Sequence, residues 1–317
     1  MKETKSFAPL ILFVYNRPEH TKYNLEKLNS IDGVKDTELY IFSDAAKDKK
    51  TEVKVKQVRN YLDVFKENSS NFKNITIIKA AQNKGLANSI IEGVTNIIEK
   101  YEKVIVLEDD LEVSKDFLLY MNEALYYYQD KKEIWSISGY TFPMKSLEHY
   151  NHDIYVARRA CSWGWATWSD RWNTIDWKVK DYTKNIKFNL RNRIEFGRWG
   201  RDMPFMLDEN IYGLNHSWAI RWCYAAYKQN KYTIYPVKSH VVSNGTDGSG
   251  TNYKTIVHRY DTELVENTKV YIFEMVEPVK KIEREFRRTH KKVLGIVRDS
   301  IIWFFRKKGV IKIKNDV

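Results

Sequence analysis

The chain has 317 residues, of which 43% are hydrophobic and 30% charged, with a formal charge of +12. Thirteen Gly and six Pro exclude a collagenous or low-complexity protein, and two cysteines are too few for a disulfide scaffold or a structural zinc site. The absence of any run of 18 apolar residues argues against a membrane-spanning helix, and the Met1–Pro9 stretch carries no apolar leader.

The charge is uneven. Residues 281–317 hold 12 Lys/Arg against 4 Asp/Glu, which leaves the rest of the chain nearly neutral. A polybasic tail on such a body fits an anionic membrane surface better than nucleic acid, and no nucleic-acid partner is expected. Cys161 and Cys223 are expected to be reduced thiols in a cytosolic setting.

In chain order, the apolar run Pro9–Tyr15 predicts a first strand that stops at Asn16-Arg17-Pro18. A short helix follows over Thr21–Leu28, and Glu38–Phe42 predicts a second strand ending in Ser43-Asp44. Val53, Val55, Val58, Tyr61, Leu62 and Phe65 form a helical stripe, and Ile75–Ile78 predicts a third strand. Asn83-Lys84-Gly85 opens a helix whose Ile90, Ile91, Val94, Ile97 and Ile98 share a face. A fourth strand, Val104–Leu107, then runs straight into Glu108-Asp109-Asp110. Ser114 is placed to cap a helix reaching about Tyr128, and Ile134–Ser138 continues the alternation. Repeated strand–helix units predict an α/β fold with a mostly parallel sheet covered on both faces. Beyond residue 140 the texture turns aromatic, with Cys161-Ser162-Trp163-Gly164-Trp165-Ala166-Thr167-Trp168, a helix from Ser217 to about Gln229, a strand over Tyr232–Val237 and a Gly-rich loop over Asn244–Thr251. The Trp/Gly alternation reads either as a core strand or as a platform for sugar rings; Trp218 and Trp222 carry the same ambiguity.

Three consecutive carboxylates at a strand end are costly without a positive partner. A hard cation, Mg2+ or Mn2+, gripping phosphates explains them best, with Asp110 as direct ligand and Glu108 or Asp109 turned toward a ribose or a bound water. Asp44 ends a neighbouring strand and could accept hydrogen bonds from a base or ribose, while Arg17 and Lys84 on the same edge could hold a pyrophosphate. Neither Gly-x-Gly-x-x-Gly nor a P-loop is present, so a nucleotide here is best read as a metal-held leaving group.

The order Phe13-Val14-Tyr15-Asn16-Arg17-Pro18, Ser43-Asp44, Asn83-Lys84-Gly85-Leu86 and Leu107-Glu108-Asp109-Asp110-Leu111-Glu112-Val113 resembles metal-dependent nucleotide-sugar glycosyltransferases of the GT-A (Rossmann-like) type, family 2. The Glu-Asp-Asp-Leu-Glu-Val segment, the Gly-Trp pair and the Trp-rich helix are also similar to N-acetylglucosaminyltransferase I. Trp218–Trp222 and Asp247–Thr251 resemble a bacterial group that builds surface polysaccharide. The resemblance implies a nucleotide-sugar-binding part over residues 1–140, an acceptor-binding and catalytic part of the same domain over 141–279, and a basic amphipathic tail over 280–317. It also implies a donor of the UDP-sugar kind, Mn2+ or Mg2+ at Asp110, Asp44 facing the uracil or ribose, and Lys84 near the donor. The acceptor would be a glycan or a lipid-linked sugar, and inversion the stereochemical outcome. Inverting relatives carry an acidic base near the start of the Trp-rich helix. Here Asn215, His216, Ser217 and Ala219 flank Trp218, so the candidates are His216, Asp208 and Glu209. Two other readings stay open: a non-catalytic carbohydrate- or nucleotide-binding protein on the same scaffold, and a sugar nucleotidyltransferase. The tail alternates Ile282, Phe286 and Ile301–Phe305 with Lys/Arg through residue 308, and residues 281–308 are expected to lie on the anionic cytoplasmic face of the plasma membrane.

Overall fold

A computed structural model gives the fold and describes residues 6–68, 71–245, 260–266 and 270–290. Strand β1 (Leu10–Val14) is buried along its whole length, and helix α1 (Pro18–Leu28) starts on Pro18, whose fixed φ suits a first helical position. Then come β2 (Glu38–Ser43), α2 (Lys49–Asn68), β3 (Asn74–Lys79), α3 (Gly85–Tyr101) and β4 (Lys103–Glu108). The stripe on α2 buries Val55, Val58, Leu62 and Phe65 but leaves Val53 in solvent, so its apolar face starts later than the sequence suggests.

β1 lies between β2 and β4, parallel to both, and β2 is parallel to β3. Alternate residues of the two central strands feed opposite cores. Leu10, Leu12, Ile105 and Leu107 join one, with α1, α2 and α4 (Phe117–Tyr128); Ile11, Phe13, Val104 and Val106 join the other, with α3. This period-two division is what a sheet covered on both faces requires.

The second half extends the same sheet. After β5 (Leu111–Val113) come β6 (Ile134–Ser138), β7 (Ile154–Ala157), β8 (Trp165–Trp168), α5 (Ser169–Trp172), α6 (Leu190–Phe196), α7 (Met203–Ile211), α8 (Trp218–Lys228), β9 (Tyr232–Pro236), β10 (Val241–Ser243) and α9 (Lys280–Thr289). The eight-stranded order is β3-β2-β1-β4-β8-β6-β9-β7, with only β8 and β7 running against the rest, and β5 pairs with β10 in a separate antiparallel ribbon.

Three expectations need correction. Ser114 does not cap α4: Asp116 holds that position, and the Ser114 hydroxyl instead donates to Asp116 (2.7 Å) and meets His240 Nδ1 (2.8 Å). The tryptophans are mostly core. Trp165, Trp172, Trp218 and Trp222 are at most 4% exposed, with Trp165 and Trp222 centroids 4.4 Å apart, so the strand reading of this segment holds and no sugar platform forms from them. Among the described tryptophans Trp163 and Trp177 are half-buried, Trp163 edge-on to Tyr140 and Trp177 against Trp172. Finally, α9 belongs to the body. Ile282 and Phe286 sit in the core, with Phe286 against Phe142, Trp199 and Tyr235, so these two side chains are not available to a membrane; 291–308 lie outside the described residues. Both cysteines are free and buried.

Replacing Phe286 with Ala should therefore cost about 3–5 kcal/mol of unfolding free energy, the range for a buried aromatic. Urea or guanidinium denaturation measures it, and a loss below 1 kcal/mol would place α9 off the body.

Candidate active site

The chain enters the sheet at β1, moves outward through β2 and β3, then returns to the far side of β1 as β4. Open α/β sheets bind ligands where the order reverses in this way, at the carboxyl edge. The register brings the side chains there: Phe13 pairs with Glu108 and Val14 with Ser43, so the residues after β1, β2 and β4 emerge together.

Between β1 and β4 sits the acidic turn. Arg17 Nη1 lies 2.6 Å from Asp110 Oδ2 and 3.7 Å from Asp109 Oδ1. The backbone N–H of Tyr15 donates to Asp109 at 3.3 Å, and the Asn24 amide donates to the Asp109 carbonyl. Burial, together with repulsion from Asp110 and Asp109, pushes Glu108 up to about 8 against the pull of Arg17. Burial and Asp110 push Asp109 up to about 7. Burial alone would lower Arg17, but Asp109 and Asp110 outweigh it and hold the guanidinium above its ordinary value. Three carboxylates against one guanidinium leave the turn short of positive charge, and hard oxygen donors of this kind suit Mg2+ or Mn2+. Among the described residues no three His, Cys, Asp or Glu side chains converge on a common point. Asp110, half-buried with more of its side chain in solvent than Asp109, is the natural donor.

The β5–β10 ribbon closes over this turn. The N–H of Asn244 donates to the Asp110 carbonyl at 2.8 Å, and Glu112 accepts from Tyr23 (3.0 Å) and Asn244 Nδ2 (3.3 Å). At Gly245 a Cβ would run into the Asp110 carboxylate and force that side chain to shift. Residues 247–251, singled out in the sequence, lie outside the described residues.

Asp44 occupies the next crevice along the edge. Its carboxylate accepts from the N–H groups of Ala45 (2.8 Å), Lys84 (2.9 Å) and Gly85 (2.9 Å) and from Asn83 Nδ2 (3.1 Å), which ties it to the start of α3. Gly85 has φ +71, a left-handed conformation that glycine adopts freely. The Lys84 ammonium is turned away, onto Glu92. A groove beside Asp44 is lined by the apolar Phe42 and Ile78 and by the polar Lys84, Glu92 and Asn96. Arg59 braces this corner by donating to the carbonyls of Ser43 (3.3 Å), Asp44 (3.3 Å) and Ala80 (2.7 Å). Sequence reading missed Arg59, since a lone Arg within an amphipathic helix carries no signal. The Gly in Asn244-Gly245 was the only available hint of the ribbon's approach.

The three candidate bases are not equivalent. Asp208, on α7, is buried and held by a two-pronged pair with Arg193 (2.9 and 2.7 Å) and by the Tyr182 hydroxyl (2.8 Å). Its oxygens are occupied, and it anchors α6 to α7. Glu209 is half-exposed and accepts from Asn215 Nδ2 at 3.2 Å. His216 is exposed, one residue before Ser217, which caps α8 by accepting from the N–H of Ile220.

A model described as the GNT-I family matches residues 1–181, more than half of the chain. No curated protein matches it. Similar solved structures include the mannosyltransferase PcManGT from Pyrobaculum calidifontis in complex with GDP-Man and Mn2+, 14% identical with a TM-score of 0.36 over 71% of this chain and 77% of that one. TarS of S. aureus is 14% identical with a TM-score of 0.29, over 38% of this chain and 20% of TarS. TarS 1–349 in complex with UDP gives 14% and 0.30, over 44% and 40%. The chain thus spans about a fifth of TarS and two fifths of its shorter form.

If Asp208 is an anchor, Asp208→Asn should lower stability by about 2 kcal/mol, less than for a fully buried pair because Arg193 keeps 20% of its side-chain surface. Turnover per folded molecule should stay within a few-fold of wild type, and a hundredfold loss with unchanged stability would make Asp208 the base instead.

Proposed function

We propose that this chain, a member of the GNT-I family, is a glycosyltransferase that moves a sugar from a UDP-sugar to a glycan or lipid-linked acceptor in a divalent-cation-dependent, inverting reaction of surface-polysaccharide synthesis. The observation that carries this reading is the acidic turn at the switch point: Glu108, Asp109 and Asp110, buried or half-buried, share one guanidinium beside the groove at Asp44.

In this reading the groove at Asp44 takes the nucleoside, with Phe42 and Ile78 under the ring. Asp44, whose carboxylate already accepts from four protein N–H groups, keeps the α3 start in place beside the nucleoside. Arg17 exchanges Asp110 for a phosphate oxygen, which its planar fork suits. Asp110 would hold Mn2+ or Mg2+, which when bound supplies positive charge to the departing diphosphate. Glu108 and Asp109, whose pKa values are raised by burial and by mutual repulsion, would give up protons more readily once a cation sits at Asp110. The acceptor hydroxyl must lose a proton as the new bond forms. His216 is the preferred base because its imidazole, able to accept a proton, is exposed at the start of α8; Glu209 is the second candidate. Lipid-linked acceptors and the basic segment 281–308 together suggest peripheral attachment at the cytoplasmic face.

Asp110→Asn should lower kcat at least about 100-fold, because the lost ligand acts on the leaving group in the transition state. A panel of UDP-, GDP- and dTDP-sugars with Mn2+, with and without EDTA, reads this out. EDTA-insensitive turnover would remove the cation from the reaction. No turnover of any donor, with intact nucleotide binding, would favour a binding protein.

His216→Ala should lower kcat about 100-fold while the donor KM barely moves. Parallel kinetics on Glu209→Gln decide between the two, and near wild-type rates for both would put the base elsewhere.

A further inference from the structure

The segment from Lys184 to Arg201 holds six Lys/Arg and a single acid, Glu195. Within it Phe188, Leu190 and Ile194 are 79%, 71% and 61% exposed, while most large apolar side chains of the body are buried. On α6, Leu190 and Ile194 are one turn apart and share the outward face, with Arg191 beside them. Arg193 and Phe196 point the other way, into Asp208 and the core. The protrusion is therefore built: its inward side is pinned by an ion pair and a buried ring. Lys187 lies over the Phe188 ring at 5.1 Å, and Lys184, Arg191 and Arg198 are exposed around it.

This edge continues into α9. Arg198 donates to Glu283 at 3.1 Å through both Nε and Nη2, and Trp199 packs on Phe286. The other α9 carboxylate, Glu285, accepts from the N–H groups of Lys145 (2.9 Å) and Ser146 (2.8 Å). With both acids engaged by the body, Lys281, Arg284 and Arg288 are left exposed.

We propose that Phe188, Leu190 and Ile194 form a wedge that enters an anionic lipid surface, with Lys184, Lys187, Arg191 and the cations of α9 against the headgroups. The inference rests on the peripheral placement proposed above but assigns it to the folded body rather than to the segment beyond α9. Three chemistries compete for this patch, and two fit poorly. A second copy of the chain would set the patch against itself across a two-fold axis, cation facing cation. A nucleic acid would use the cations but has no place for Leu190 and Ile194. Apolar side chains flanked by Lys and Arg match the boundary between acyl chains and acidic headgroups. The wedge lies on α6, whose Arg193 holds α7 and Asp208, so docking would set the acceptor side of the enzyme close to the lipid.

The test uses the full chain with Phe188→Cys carrying an environment-sensitive fluorophore. Cys161 and Cys223 are buried, so the label goes to position 188. With phosphatidylglycerol-containing vesicles the emission should shift to the blue, and with phosphatidylcholine alone it should shift far less. Exchanging Phe188, Leu190 and Ile194 for Ser together should weaken vesicle partitioning at least about tenfold, since burying even one such side chain is worth that factor. Melting temperature and turnover of soluble substrate should hold. A label unshifted on vesicles that nonetheless co-sediment the protein would overturn the wedge and leave attachment to the residues beyond α9. A shift that follows protein concentration without vesicles would overturn it in favour of self-association. A shift that persists in a version lacking residues 291–317 would uphold the wedge and count against the tail as the anchor.

Discussion

Glu108, Asp109 and Asp110 stand where two parallel strands part, and among the described residues Arg17 is the cation paired with them. Most of what surrounds the site follows from that shortage of positive charge. Asn24 and the Tyr15 N–H are aimed at Asp109, Tyr23 and Asn244 hold Glu112, and Gly245 makes room for the Asp110 carboxylate. Such an arrangement is poorly stable in itself, because like charges at short range resist burial. It persists because the strands on either side are fixed by two hydrophobic cores that do not depend on it.

The second half of the chain is part of that fixing. β8 runs antiparallel between β4 and β6, and its tryptophans clamp α8 to the sheet through Trp165, Trp218 and Trp222. Further out, Arg159 makes a two-pronged pair with Asp202 whose aspartate is held below its ordinary pKa, burial opposing and Arg159 favouring the charge. That contribution is present above the range where a free aspartate titrates and is lost as pH falls through the lowered value. The two halves of the chain therefore share one sheet and one pair of cores.

Much of the first half is legible in the sequence because each strand there is a short apolar run and each helix an amphipathic stripe. β1 to β4, with Asp44 and the acidic turn at their ends, follow from Pro9–Tyr15, Glu38–Phe42, Ile75–Ile78 and Val104–Leu107. The second half hides its logic in contacts that span the chain. Nothing local distinguishes Asp208 as the partner of Arg193, or Arg59 as the brace of Ser43, Asp44 and Ala80. Ser114 reads as a cap until His240, 126 residues away, takes its hydroxyl. The tail misleads for a related reason: Ile282 and Phe286 have the spacing of a membrane face, and the same spacing serves a helix that packs on Phe142 and Trp199.

The pairing of β5 with β10 carries a consequence for how the protein comes into being. Val113 and Val241 meet across well over a hundred residues of intervening chain, and that contact closes the turn bearing Asp110. Bringing such distant segments together costs loop entropy that only a largely assembled body can offset, so non-local pairings of this kind form late. A chain emerging from the ribosome has β1 to β4 long before it has β10. The turn bearing Asp110 therefore closes only after the second half of the chain is in place, so the acidic turn and the aromatic half are completed together.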